Sequence, residues 1–214
     1  MFEFIEKYFS EKVPEPPSIE QLKRITKVLI IDDEEPKELR ELLKKEGWKI
    51  SYIDDLDSLS NKKLEESHIV CIDIMGVGKK LQIPNGMGLV KDIKEKYPEK
   101  KIILYSSVSK QDIFSDALDY VDKRLRKESS LVPFSAAIEE LAKSTFSWDE
   151  SIKYAYAKVK DLLGEKIEFE QFKAAAEKSI TKEGWSKERF MKKLRVGLEV
   201  ASIIAPLVEL ATKS

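Results

Sequence analysis

Val28-Leu-Ile-Ile-Asp-Asp-Glu34 is the stretch on which the reading of the fold turns. An unbroken apolar run rich in β-branched residues fits a strand buried on both faces, whereas a half-exposed strand would alternate. Outward from it, strand and helix signals take turns. Lys37 to Glu46 sets Leu39, Leu42 and Leu43 at helical spacing and stops at Gly47, a C′ glycine. Lys49–Ile53 reads as a second strand, Leu56–Glu66 as a short irregular helix, and Ile69-Val-Cys-Ile72 as a third buried strand. A loop with Gly76, Gly78, Pro84 and Gly86 leads into a helix from Met87 to Tyr97, which Pro98 ends. Ile102–Tyr105 gives strand four, Asp112–Leu118 a short helix, Tyr120-Val121 strand five, and Pro133–Lys143 a closing helix. Strands alternating with helices in this way predict an α/β parallel sheet covered on both faces, with right-handed crossovers.

Composition narrows the function classes. The 214 residues are 42% hydrophobic, enough for a packed core. Lys and Arg number 38 against 39 Asp and Glu, so no global polyanion-binding signature exists. The lone Cys71 sits in an apolar run and fits a reducing, cytoplasmic setting. A single histidine, His68, excludes multi-histidine metal sites and histidine-based triads. The start carries early acidic residues and no signal peptide pattern, and no tract has the length and composition of a membrane span. His68 reads as a strand-edge residue and Cys71 as a small core residue.

In open parallel sheets the working groups gather at the carboxyl ends of the strands. Those ends carry Asp32-Asp33 after strand one, Asp73 after strand three, Ser106 after strand four and Lys123 after strand five. Alone, each has a plain structural alternative. Asp32-Asp33 could cap a helix, Ser106 has Ser107 beside it, and Lys123 could be solvated. Gly76-Val-Gly-Lys-Lys80 lacks the spacing and hydroxyl of a nucleotide phosphate loop.

Five stretches in order resemble the receiver domain of two-component response regulators. They are Val28-Leu-Ile-Ile-Asp-Asp-Glu34, Ile69-Val-Cys-Ile-Asp-Ile-Met75, Asn85-Gly-Met-Gly-Leu-Val-Lys-Asp-Ile93, Ile102-Ile-Leu-Tyr-Ser-Ser107 and Asp119-Tyr-Val-Asp-Lys123. The resemblance covers residues 27–145 and implies a (βα)5 doubly wound sheet of order 2-1-3-4-5. It further implies Mg²⁺ held directly by Asp33 and Asp73, through water by Asp32, and by the backbone carbonyl of Met75. Asp73 would be the phosphoacceptor, Lys123 would pair with the phosphoryl oxygens, and Ser106 would hydrogen-bond them. Tyr120 matches the family's aromatic switch, three residues before the lysine; a buried aromatic without that role is the alternative. Such a domain is no enzyme beyond its own phosphorylation and dephosphorylation. A histidine kinase or phosphotransfer protein would be its donor.

Three departures stand out. The loop between Asp73 and Gly86 is long and lacks the proline expected soon after the aspartate. Arg124 replaces the proline that normally follows the lysine through a cis bond, so a trans bond is expected. The segment from Ser107 to Lys123 is short, which compresses the fourth helix.

Residues 1–26 read as an N-terminal helical segment, with one helix over 1–12 and another capped by Ser18. Residues 146–214 carry no strand signal and read as a helical output or interaction segment. Between Thr181 and Arg195, Lys182, Lys187, Arg189, Lys192, Lys193 and Arg195 outnumber Glu183 and Glu188, which leaves DNA binding as a disfavoured alternative. Val196–Leu210 is apolar nearly all round and must be buried, in a bundle or across a homodimer. The expected function is therefore a phosphorylation-controlled response regulator that switches protein or self association. A DNA-binding regulator and an inactive pseudo-receiver are the alternatives.

Overall fold

The computed structural model of the chain describes residues 17–83, 85–107, 116–127, 130–163, 167–181 and 184–212. Ile19–Thr145 forms one compact unit, and Phe146–Ser214 belongs to a second.

The first unit is built on strands β1 (Lys27–Ile31), β2 (Lys49–Ile53), β3 (Ile69–Asp73), β4 (Lys101–Ser106) and β5 (Lys123–Arg126). They pair in parallel in the order β2-β1-β3-β4-β5. This is the doubly wound α/β arrangement expected from the sequence. Helices α1 (Ile19–Ile25), α2 (Lys37–Lys45), α3 (Lys62–Glu66), α4 (Gly86–Lys96) and α5 (Leu131–Thr145) flank the sheet. Helix α1, set apart with residues 1–26 in the sequence reading, packs within this unit and buries Leu22 completely. The helix expected over residues 1–12 lies outside the described residues.

Both faces of the sheet are covered, which explains the unbroken apolar runs. Leu29, Ile31, Val70, Ile72, Ile102 and Leu104 join Leu64 of α3 and Leu89, Val90 and Ile93 of α4 in one core. The intervening residues Val28, Ile30, Cys71, Ile103 and Tyr105 face the other way and are equally buried. Helix α5 packs on strands β3 to β5 and against α1 and α2. The helix starts are set locally. Asn61 accepts from the Lys63 N–H at 3.0 Å to open α3, and Asn85 accepts from the Met87 N–H at 3.0 Å to open α4. Gly47, at φ +101°, follows α2 in the left-handed region, as its sequence position predicts.

The edge strand departs from expectation. Strand β5 is Lys123–Arg126, not Tyr120-Val121. Tyr120 ends a 3₁₀ turn that begins at Asp116, and most of the helix expected over Asp112–Leu118 falls outside the described residues. A charged edge strand protects the sheet from pairing with other chains, but it carries no apolar run for a sequence reading to find. The Lys123–Arg124 bond is trans, as expected.

The second unit comprises α6 (Trp148–Leu163), α7 (Phe169–Glu177), α8 (Lys187–Leu194) and α9 (Leu198–Thr212). It also contains strands that the sequence reading missed: β6 (Ile180–Thr181) and β7 (Gly184–Trp185) pair as an antiparallel hairpin. Two residues per strand are too few to show alternation. Trp148, Ile152, Phe172, Trp185, Phe190, Val200, Ile204 and Val208 share one core. Phe190 packs edge-on against Phe172, with centroids 5.3 Å apart, and the Trp185 ring centroid lies 5.2 Å from that of Phe190. Helix α9 is therefore a core helix on one side, while Leu198 and Ile203 on its other side stay exposed.

Candidate functional site

The carboxyl ends of β1, β3 and β4 bring the acidic residues together. Ile31 pairs with Ile72, so the next residues, Asp32 and Asp73, lie side by side, and Asp73 pairs in turn with Tyr105. Asp32 is fully buried and Asp73 nearly so, while Asp33 is open to solvent. One carboxylate oxygen from each of Asp32, Asp33 and Asp73 lies within 4.8 Å of the others.

Two glycines permit this approach. Gly76, at φ +81°, leaves space in which a Cβ would sit 2.0 Å from the Asp33 carboxylate. At Gly86 a Cβ would meet the Asp73 carbonyl oxygen at 2.0 Å. The start of α4 therefore closes directly on the end of β3, and the Gly86 N–H donates to the Ile74 carbonyl at 2.9 Å. Spacing alone did not mark either glycine as part of the site.

The lysine in the site is Lys127. It follows β5 and reaches Asp73 Oδ2 at 2.9 Å and Asp32 Oδ1 at 3.1 Å. Its backbone N–H donates to the Ser106 carbonyl at 3.0 Å, which fixes the turn leaving the strand. Lys123, the residue expected in this place, opens β5 at the far end of the strand and pairs with Glu140 at 2.7 Å. Placing strand five at Tyr120-Val121 shifted the reading toward the amino end, and the lysine was misplaced by the same slip. The available signal was Lys-Arg-Leu-Arg-Lys127, a charged strand with a lysine just beyond its end.

Tyr120 is likewise displaced from its expected relation to the site lysine. It is 41% exposed on the turn before β5, and the position three residues before Lys127 is Arg124, also exposed. Ser106 ends β4, buried, beside the partner of Asp73. The Met75 side chain is exposed, and its backbone amide favours the charged form of Asp73.

The long loop is folded onto the site's flank. Buried Asp55 accepts from the Gly78 N–H at 2.6 Å and the Lys80 N–H at 3.0 Å, and Val77 enters the core. Lys79 leans toward Asp33, 3.7 Å away. His68 and Cys71 stand apart from the acidic cluster. His68 Nδ1 accepts from the Lys27 N–H at 3.0 Å, and burial lowers its pKa to about 4. Burial alone pushes the Cys71 thiol up to about 12, so it stays protonated.

Burial, followed by the neighbouring Asp32 charge, raises the Asp73 pKa despite the opposing pull of Lys127. Burial also works against the charged form of Lys127, but the hydrogen bonds and charges of Asp73 and Asp32 outweigh it and raise its pKa. Three converging carboxylates of hard oxygen donors, two of them buried, fit a small divalent cation. Asp32, Asp33 and Asp73 are the residues able to hold it.

No protein-family model matches the sequence, and no curated protein sequence matches it significantly. Solved structures of response regulators do align with it. A beryllofluoride-activated NtrC4 receiver domain dimer is 22% identical over 56% of this chain and 98% of its own, with a TM-score of 0.48. The ATP complex of NtrX from Brucella abortus is 16% identical over 80% of this chain and 40% of its own, at 0.49. A Burkholderia pseudomallei response regulator, solved with a phosphorylated aspartic acid, a calcium ion and citrate, is 15% identical over 80% of this chain and 93% of its own, at 0.44. Among the described residues no helix is long and apolar enough to cross a membrane.

Proposed function

We propose that residues 19–145 are a response-regulator receiver that takes a phosphoryl group on Asp73, with Mg²⁺ held by Asp32, Asp33 and Asp73. The observation that carries this reading is Lys127 bridging Asp73 and Asp32 within a three-carboxylate cluster at the carboxyl edge of a 2-1-3-4-5 sheet. The bound ion would offset the carboxylate charge and accept phosphoryl oxygens, which lowers the barrier for an anionic nucleophile.

Asp73 is the nucleophile. Its carboxylate oxygen forms a bond to phosphorus as the phosphorus–nitrogen bond of a phosphohistidine donor breaks, and the imidazole leaves with the electron pair. Lys127 already contacts Asp73 and can follow the oxygens of the group added there. Asp33, the open member of the cluster, lies on the side where a donor enters. The Met75 carbonyl is a further metal ligand in this reading, and Ser106 is the hydroxyl that turns to the phosphoryl group. The role first given to Lys123 passes to Lys127, and no switch role is assigned to Tyr120. The donor is a histidine kinase or phosphotransfer protein, and the output is a change in protein or self association through residues 146–214.

Intact mass after incubation with acetyl phosphate and Mg²⁺ tests the core of this reading. One added phosphoryl group, absent from Asp73→Ala, is the expected result. A label that survives in Asp73→Ala overturns the assignment. No label on the unsubstituted chain favours a pseudo-receiver that binds partners without phosphotransfer.

A further inference from the structure

Tyr105 is a buried tyrosine of β4 that reaches Asp32, which follows β1 two strands away. Its ring is held edge-on against Phe134 of α5, with centroids 5.5 Å apart and planes at 80°. Its hydroxyl donates to Asp32 Oδ2 at 2.7 Å. The other carboxylate oxygen, Oδ1, accepts from the Glu34 N–H at 2.9 Å and from Lys127 at 3.1 Å. We propose that Tyr105 is a positioning residue for the metal site, fixing the Asp32 carboxylate so that one acceptor position remains for a metal-bound water.

The argument is geometric. A carboxylate offers about four acceptor positions, two on each oxygen. Glu34 and Lys127 occupy Oδ1, and the tyrosine hydroxyl takes one position on Oδ2. The carboxylate cannot rotate without breaking at least one of these bonds, and one acceptor position on Oδ2 is left in a carboxylate that clusters with Asp33 and Asp73. Asp32 is fully buried, and an ionised carboxylate in that setting needs donors to be tolerated. Glu34 and Lys127 supply two, but Lys127 is shared with Asp73. The phenol is held by its ring packing against Phe134 and donates to Asp32, so its hold on that carboxylate does not depend on Asp73. Positioning groups of this kind behind metal ligands commonly change metal affinity by about 10- to 100-fold when removed.

The proposal rests on Asp32, Asp33 and Asp73 holding Mg²⁺, and the experiment separates the two. Mg²⁺ is titrated calorimetrically into the full chain, Tyr105→Phe, Asp32→Asn and the double variant, with the melting temperature of each recorded. Phenylalanine keeps the ring contact with Phe134 and removes only the hydroxyl. The expected result is about tenfold weaker Mg²⁺ binding for Tyr105→Phe, with no further loss when that change is added to Asp32→Asn. Tyr105→Phe that binds Mg²⁺ like the unsubstituted chain, with only a lower melting temperature, overturns the proposal and leaves the metal site standing. Losses that multiply in the double variant also overturn it, because Tyr105 would then act independently of Asp32. An unsubstituted chain that binds no Mg²⁺ overturns the metal site itself, and the positioning role with it.

Discussion

Strand β3 is Ile-Val-Cys-Ile-Asp73 with every residue buried, whereas β5 is Lys-Arg-Leu-Arg126 and alternates between half-buried and exposed. Both donate to the same parallel sheet, and both lead into the same site. The difference lies in what each must do with its flanks. A central strand has neighbours on both edges and helices on both faces, so burial selects apolar residues throughout. An edge strand must also discourage pairing with other chains, and charge does that. The residues of the cluster follow the strand ends and not the composition, so Asp73 and Lys127 meet although one strand is oily and the other basic.

The sharpest way to break this comparison is to remove, one at a time, the lysine that opens β5 and the lysine that follows it. Lys127→Ala should slow acetyl phosphate labelling of Asp73 by about 10²- to 10³-fold, the usual cost of losing a charge-stabilising donor. Lys123→Ala removes only a partly exposed pair with Glu140 and should change the rate by less than about twofold. Equal effects would mean that Lys127 has no special part in labelling Asp73. Time courses of intact mass at saturating Mg²⁺ read both rates.

This slip also shows what was legible. The three inner strands, the acidic trio and the helix stop at Gly47 follow from periodicity and from the rule that parallel sheets work at their carboxyl ends. The register of β5 does not, because a single Leu125 gives no period to count. Tyr105 was visible as a strand residue, but its hydroxyl bond to Asp32 joins positions 73 residues apart, and only the 2-1-3-4-5 order brings them together. The hairpin of Ile180 with Trp185 was lost for a related reason: its strands are shorter than the pattern that identifies them. The fold of the long loop was equally hidden, since it depends on Asp55 capturing the N–H groups of Gly78 and Lys80 from across the chain.

A stability measurement sharpens the same contrast at smaller scale. Ile72→Val removes one methylene from a fully buried position of β3 and should cost about 0.5–1.5 kcal/mol. Arg126→Thr on β5 changes an exposed position and should stay within about 0.5 kcal/mol. Urea denaturation of both variants checks the pair. A loss at Arg126 matching that at Ile72 would show that the edge is held by contacts its sequence does not advertise.

The two ends of β3 should respond oppositely to pH. His68, just before the strand, has its pKa lowered from 6.5 to about 4 by burial, then by the charges of Lys100 and Lys27. The unfolded chain therefore binds more protons between those values, so His68 contributes stability above pH 6.5 that is lost as pH falls toward 4. Asp73, at the other end, has its pKa raised above 3.8 by burial and by Asp32. There the folded chain binds more protons, so stability is fullest below 3.8 and declines as pH rises through the native value. In metal-free buffer, Asp73→Asn should therefore stabilise the protein at pH 7.5 and lose that advantage near pH 4. His68→Gln should flatten the decline between pH 6.5 and 4 and leave the Asp73 effect untouched. Urea midpoints at pH 4.5 and 7.5 for both variants give the comparison. An Asp73→Asn variant less stable than the native chain at pH 7.5 would mean that Lys127 already balances the cluster, and the case for a cation there would weaken.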